Sequence, residues 1–384
     1  MPETVMIVAG ETSGELYGAL LASSLKRMSP GVKIIGIGGE RMREAGVRLI
    51  AGVAGAFGIA EAVSAIRSLR KTFHAALDAF NAERPSVLVL IDYPDFNLKL
   101  AEKAKQQNIR VLYYVSPQVW AWRKNRIYKI ARLVDRMAVI LPFEVDIYRE
   151  TGLACEFVGH PVLDEIEGIG TDRAELKKAL GLLPGSPLLS LLPGSRAHEI
   201  EKLLPVMTEV LGTVRSEFRE FQFCMPFAPN TDLDRYGPQI EALRKRGVVV
   251  SRGNSLQVLA ASDLAVVASG TATLQAGLLG LPIVVIYKVS PLTYLIGKML
   301  IRGKYITLSN ILSGREVVKE FLQDRASASN VVAELRRIIT DDAYRTQMVG
   351  ACREVRALFS GRHASDRVAE MVFELAGWKR QTSS

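Results

Sequence analysis

Cysteine is scarce in this chain of 384 residues. Its three positions, Cys155, Cys224 and Cys352, are odd in number, widely separated and without metal-ligand spacing. That argues against a disulfide framework and favours a reducing compartment. The four histidines, His74, His160, His198 and His363, show no paired spacing for zinc. No zinc site is therefore expected from these residues, and no cofactor is expected. No apolar run reaches the roughly 18 residues that a spanning helix needs. The start, "MPETVMIVAG", lacks the basic and apolar regions of a signal peptide. A cytoplasmic protein is the expectation, and no tandem repeat or low-complexity segment interrupts it.

What is present describes a folded chain. Hydrophobic residues make up 48% and charged residues 23%, a balance typical of globular proteins. The length exceeds what one core usually serves, so two domains are expected. A net charge of +9 implies an anionic partner: nucleic acid, a phosphorylated substrate or an acidic membrane surface. Charge alone does not choose among them.

The first half alternates strand and helix. "TVMIVAG", "VKIIGIGG", "SVLVLID" and "RVLYYVSP" read as strands, and "GELYGALLASSLKRM", "AALDAFNAER" and "LAEKAKQQN" as the helices between them. Near "VGHPVLDEIEGIG" the pattern loosens into an expected linker. It then restarts with "LLSLLPGS", "FQFCMPFA", "GVVVSRG", "DLAVVASG" and "PIVVIYK" as strands. Continuous apolar strands separated by helices mean parallel sheets covered on both faces. The expected fold class is α/β, with two doubly wound Rossmann-like domains facing a cleft. The expected boundaries are 1–165, 166–360 and a closing helix in 361–384 that crosses back to the first domain.

Polar turns at the strand ends are where the chemistry should lie. "AGETSGELYG" sets Gly10, Ser13 and Gly14 between a strand and its helix, though without the GxGxxG order of a dinucleotide site. "IDYPDFNLKL" sets Asp92 and Asp95 at the mouth of a strand, either as turn chemistry or as a catalytic carboxylate. "LLPGSRAHEIE" offers Gly194 and Ser195 as a turn, Arg196 as a fork of donors suited to a phosphate or diphosphate, and Glu199 at the helix start. In "VVASGTATLQAG", Ser269, Gly270, Thr271 and Thr273 could seat a diphosphate on a helix N-terminus, with Gln275 one turn further in to reach a ribose hydroxyl. "YYVSPQVWAWRKNRIYKI" interleaves Trp120 and Trp122 with Arg123 and other cations. It reads as a nucleic-acid face, a phosphosugar wall, a membrane-interface patch, or core tryptophans beside a solvated face. "GIAEAVSAIRSLRK" spaces Ile59, Val63, Ile66 and Leu69 at helical intervals beside cations, as a core-facing stripe or a basic amphipathic membrane contact. His160 and His198 are candidates for phosphate or sugar contacts.

Taken in order, "AGETSGELYGA", "GIGGERM", "GIAEAV", "IDYPDFN", "YYVSPQVWAWRKNRIYKIA", "LPFE", "FVGHP", "LLPGSRAHEIE", "ASGTATLQ" and "NILSGREVVKEFLQ" resemble the lipid-A-disaccharide synthase family across nearly the whole chain. The resemblance implies an inverting glycosyltransferase of GT-B architecture. It would join UDP-2,3-diacylglucosamine to 2,3-diacylglucosamine 1-phosphate by a β-1,6 bond without a metal, at the cytoplasmic face of the inner membrane. It implies Asp92 as the catalytic carboxylate with Asp95 and Asn97 beside it, and Arg196 as the arginine holding the donor diphosphate. Ser269, Gly270, Thr271 and Thr273 match the nucleotide turn, and Asn310 and Gln323 match polar residues facing the same cleft. Ser116, Trp120, Arg123 and His160 fall in substrate-binding motifs. The acylated substrates give Ile59, Val63, Ile66 and Leu69 a purpose as a membrane contact, and a homodimer is an open expectation. Members often carry Glu at the position of Gln275, Asp at that of Glu15 and Pro at that of Lys319. A lipid-linked N-acetylglucosamine transferase would show a GGTGGH-like first turn, which this chain lacks, and the acidic set of a UDP-N-acetylglucosamine 2-epimerase does not map. A nucleic-acid-binding module is the rival from another class; the ordered polar turns argue against it, and no nucleic acid is expected as partner.

Overall fold

The protein is described here by a computed structural model covering residues 3–52, 59–120, 125–289 and 304–379, with the side chains of residues 12 and 59–66 left aside. It divides into one unit of Met1–Asp164 with Gly361–Ser384 and another of Glu165–Ser360. Among the described residues each unit is built on one parallel sheet.

In the first unit the strands are β1 (Thr4–Ala9), β2 (Lys33–Gly38), β3 (Arg48–Gly52), β4 (Val87–Ile91), β5 (Arg110–Tyr114), β6 (Arg136–Val139) and β7 (Cys155–Phe157). Their order across the sheet is β3-β2-β1-β4-β5-β6-β7. The central strands "TVMIVA" and "VLVLI" are buried at every residue, as strands with helices on both faces must be. The second unit carries β8 (Leu188–Leu192), β9 (Gln222–Phe227), β10 (Val248–Arg252), β11 (Leu264–Ala268), β12 (Ile283–Tyr287) and β13 (Lys319–Leu322), in the order β10-β9-β8-β11-β12-β13. "LLSLL" and "LAVVA" are its fully buried centre.

Both orders reverse direction once, between β1 and β4 and between β8 and β11. In open parallel sheets the carboxyl ends of the strands at such a reversal flank a crevice, because successive crossover helices diverge to opposite faces there. Ala9 is the register partner of Ile91, which puts Gly10 beside Asp92. Leu192 is the register partner of Val267, which puts the Gly194 turn beside the Ser269 turn. The topology alone thus brings together turns far apart in sequence.

Two expectations about local structure need correction. The stretch read as a linker contains the helix Pro161–Glu167, whose Val162, Leu163 and Ile166 are buried; three apolar residues on one helical face gave it a core to join. The strands β3, β6, β7 and β13 were not anticipated. The closing helix Ala364–Ala376 buries Val368, Met371, Val372 and Phe373 and packs against the first helix, Thr12–Met28. Arg367 clamps it to β7 with a two-pronged bond to Glu156, at 2.5 and 2.8 Å, a geometry suited to a planar guanidinium.

Candidate functional site

The turn after β4 is held in a costly shape. Asp92 and Tyr93 both adopt left-handed backbone angles, φ 46° and 48°, a region that non-glycine residues seldom occupy. Pro94 then opens the helix Pro94–Gln106, where its fixed φ and missing N–H are harmless. Strain of this kind persists only where neighbours over-determine it. Here the Asp92 carbonyl accepts from the Tyr113 hydroxyl at 2.6 Å and from the Asn97 amide at 2.7 Å, while its N–H donates to the Tyr114 carbonyl at 3.3 Å. Asn97 Nδ2 also reaches the Ile91 carbonyl at 3.2 Å. Gly10 completes the fit, since a Cβ there would lie 2.2 Å from the Tyr93 ring.

With its backbone pinned, the Asp92 carboxyl stands at the carboxyl end of a central strand. Burial pushes its pKa up to about 6; the negative charge of Glu11 adds to the rise, and the Tyr93 backbone N–H opposes it. A carboxyl in that range can accept a proton near neutral pH and hold it more firmly than an ordinary aspartate. Asp95 differs. It is 74% exposed and pairs with Arg126 at 2.6 Å, so the bonds that fix the Asp92 backbone come from Asn97, Tyr113 and Tyr114.

Near this turn lie Glu144 and Tyr148, to which the sequence assigned no role, among several residues that it did single out. Glu144, of "LPFE", is 2% exposed and accepts from the Leu141 N–H at 3.1 Å. Burial pushes its pKa up to about 8, with the Asp92 charge contributing and the Leu141 bond opposing; at neutral pH it is largely protonated. Tyr148 is buried and shares a 2.7 Å bond with the Ser116 hydroxyl, which also donates to the Pro117 carbonyl. Ser116 thus braces the wall of the site. His160 is buried, and its Nδ1 accepts from the Val162 N–H at 3.2 Å. Burial lowers its pKa to about 3, leaving a neutral ring set edge-on to Tyr17. Trp120 packs edge-on against Phe143. Ser13 and Gly14 lie in the first turn of the helix Thr12–Met28. Glu15, one residue on, accepts from the Arg41 N–H at 2.8 Å, so its longer side chain caps a neighbouring helix. Arg123 and the side chains of Ile59, Val63 and Ile66 lie outside the described residues. Leu69 is half-buried and packs on the core of this unit.

The second unit's reversal carries a different chemistry. Gly194 has φ 105°, and a Cβ there would meet the Glu199 carboxylate at 2.6 Å. That carboxylate is buried and accepts from the N–H groups of Ser195 and Arg196, at 3.2 and 3.3 Å. Glu199 therefore satisfies its own helix start. What the turn offers outward is the Arg196 guanidinium, 54% exposed and 3.3 Å from Glu199.

Beside it, β11 runs through Ser269 and Gly270 into the helix Thr271–Leu278, whose start no side chain caps. Thr273 is buried and donates its hydroxyl to the Gly270 carbonyl at 2.7 Å, tightening the turn. Gln275 is buried, and its Nε2 donates to Glu165 at 2.8 Å. A glutamate at 275 would instead set a second carboxylate against Glu165.

Asn310 was expected to face a cleft. It is fully buried, donating to the Val318 carbonyl and to Glu320 at 2.9 and 2.7 Å and accepting from the Val317 and Val318 N–H groups at 2.6 and 3.0 Å. With both donors and its acceptor occupied, it latches β13 to the helix Leu308–Ser313. Gln323 has φ 52°, and its Oε1 accepts from the Val289 N–H at 3.1 Å. Among the described residues, no cluster of three or more His, Cys, Asp or Glu could hold a metal ion.

Known proteins resemble this chain closely in sequence and more distantly in shape. The family model described as lipid-A-disaccharide synthetase matches residues 5–372. Lipid-A-disaccharide synthase of Geobacter sulfurreducens is 41% identical over 375 residues, 97% of each chain. That of Syntrophus aciditrophicus is 42% identical over 373 residues, again 97% of each. Among solved structures, a Staphylococcus aureus MnaA–UDP complex superimposes with TM-score 0.68 at 11% identity, covering 100% of this chain and 99% of that one. A UDP-GlcNAc 2-epimerase from Neisseria meningitidis bound to UDP-GlcNAc gives 0.66 at 12%, covering 97% and 100%. At such identities the likeness speaks for the fold, two Rossmann-like domains of the GT-B kind.

Proposed function

The chain belongs to the lipid-A-disaccharide synthase family, and from that premise we propose that Asp92 is the base of the family's reaction. That reaction, which this chain catalyses, is an inverting glycosyl transfer: UDP-2,3-diacylglucosamine and 2,3-diacylglucosamine 1-phosphate give the β-1,6-linked disaccharide 1-phosphate and UDP. The observation that carries the assignment is a half-buried carboxyl, locked in a strained turn at a sheet reversal, with its pKa raised to about 6.

The acceptor's 6-hydroxyl oxygen attacks the anomeric carbon of the donor from the face opposite UDP. As the new C–O bond forms, the bond to the diphosphate oxygen breaks and its electron pair leaves with UDP. Asp92 takes the hydroxyl proton, which makes the oxygen a stronger nucleophile. The charge growing on the diphosphate needs fixed donors. We assign that task to the Arg196 guanidinium and to the uncapped helix start at Thr271, with Ser269 and Gly270 forming the turn. The Gln275 carbonyl then serves the nucleotide's ribose, its amide being engaged by Glu165. Glu144, protonated at neutral pH, adds no second charge beside Asp92. Asn97, Ser116 and His160 support the first unit's frame, and Asn310 that of the second.

We further propose that the enzyme works as a peripheral protein on the cytoplasmic face of the inner membrane, with Ile59, Val63 and Ile66 as its contact and the anionic surface attracting its net positive charge. Among the described residues no helix is long and apolar enough to cross a membrane. Replacing Val63 and Ile66 with serine should raise the soluble fraction in vesicle sedimentation; unchanged partitioning would remove this contact. The base assignment is tested by Asp92→Asn, assayed by mass spectrometry for UDP and disaccharide. A loss of about 10²–10⁴-fold in kcat is expected, and full activity would remove the assignment.

A further inference from the structure

The second unit contains a cavity of about 800 Å³ that the reaction does not use. It opens at the amino ends of the strands: Pro187, Asp263 and Pro282, each immediately before β8, β11 or β12, line it. The turns at Gly194 and Ser269 follow the opposite ends. Five residues of strand separate the two ends, about 16 Å at roughly 3.3 Å per residue, so the cavity is a distinct place.

Its accessible apolar wall is formed by the half-buried Phe221, Leu279, Ile339 and Val349, with the buried Leu264, Leu278 and Ile338 behind them. Its rim is cationic. On the helix Asp342–Ala357, Arg345, Val349, Arg353 and Arg356 follow one another at intervals of four, four and three residues, which sets them on one stripe. All four line the cavity, as does Arg173 from across it.

The rim carries more positive charge than its own acids neutralise. Asp263 takes both Lys177 at 2.8 Å and Arg173 at 3.5 Å, and Asp342 takes Arg345 at 2.6 Å. Arg356 donates to the Leu278 carbonyl at 3.2 Å. Among the described residues, no ion pair forms on Arg353 or Arg356. Four arginines and one carboxylate, Asp263, thus line one apolar hollow. Volumes of about 300–1,000 Å³ lined by apolar groups with a few convergent polar ones are typical of small-molecule sites, and guanidinium groups match phosphate oxygens in pairs.

We propose that this cavity binds a phosphomonoester amphiphile, its phosphate held by Arg353 and Arg356 and its hydrocarbon chain laid against the half-buried Leu279, Ile339 and Val349. A monoester carries about −1.5 to −2 at pH 7, which suits a rim with three cations in excess. The site stands apart from the transfer reaction and does not depend on the roles assigned there.

Octyl phosphate tests this by calorimetry on the intact protein, with inorganic phosphate and octyl glucoside as the head alone and the tail alone. One octyl phosphate per chain should bind at least tenfold more tightly than either half, and saturating UDP should leave its affinity unchanged. Arg353→Gln, at an exposed residue without an ion pair, should weaken it about tenfold at unchanged melting temperature. Thr346→Glu, which adds a negative charge on the same face, should weaken it as much. Equal affinity for inorganic phosphate or octyl glucoside, competition by UDP, or an affinity that stays within twofold in both variants would overturn the proposal.

Discussion

The two sheet reversals are built alike and equipped oppositely. At the first, the acid faces outward: Asp92 is pinned by its backbone, and burial and Glu11 make its charge costly. At the second, the acid faces inward: Glu199 is spent on the N–H groups of Ser195 and Arg196, and what emerges is a cation. One architecture therefore serves opposite electrostatic ends. Burial and a neighbouring charge raise the pKa of the first carboxyl, while the second is used up as the cap of its own helix.

Breaking the contrast on the second side should cost the most after Asp92 itself. Arg196→Ala should lower kcat/KM by about 10²–10³-fold, as removal of one charge-stabilising donor does, with the helix start intact because Glu199 still caps it. Steady-state assays with urea unfolding as control would show both. Gly10→Ala attacks the first side through packing. Its Cβ must displace the Tyr93 ring, and such overpacking costs about 1–3 kcal/mol. A lower melting temperature should come with a fall in kcat, because Tyr93 and Asp92 share one strained turn.

A smaller effect concerns Glu144. Its folded pKa, raised to about 8, lies above the ordinary carboxylate value near 4.3. Between those limits the folded state keeps a proton that the unfolded chain has lost, so stability falls as pH rises through that window. The melting temperature should therefore decline between pH 5 and 8, and less steeply in Glu144→Gln. The smallest expected effect is that of Glu11→Gln. Removing that charge makes ionisation of Asp92 easier, so the acid limb of the pH–rate profile should move to lower pH by a fraction of a unit.

How much of this could be read beforehand depended on burial. β4 and β11 are unbroken apolar runs, and β1 and β8 depart from that only at Thr4 and Ser190; a run of that kind announces a strand covered on both faces. The missed strands β3, β6, β7 and β13 are three to five residues long and mix charged or small residues into the run, as in "RMAV" and "CEF". Position in the sheet, which no local pattern encodes, made them strands. Asp92 was legible because it follows a buried strand directly. Glu144 was not, because nothing in "LPFE" shows that its glutamate turns inward. Asn310 looked like a ligand for the same reason that it makes a good latch: an amide offers donors and an acceptor, and only the fold decides which groups use them.

If Asp92 is the base, its raised pKa governs the pH dependence of kcat/KM. In the unaltered enzyme, kcat/KM should rise about tenfold per pH unit below pH 6 and level off above it. In Asp92→Asn, the residual activity should lose that inflection. A flat profile from pH 5 to 7, or the same inflection surviving in Asp92→Asn, would contradict the base assignment.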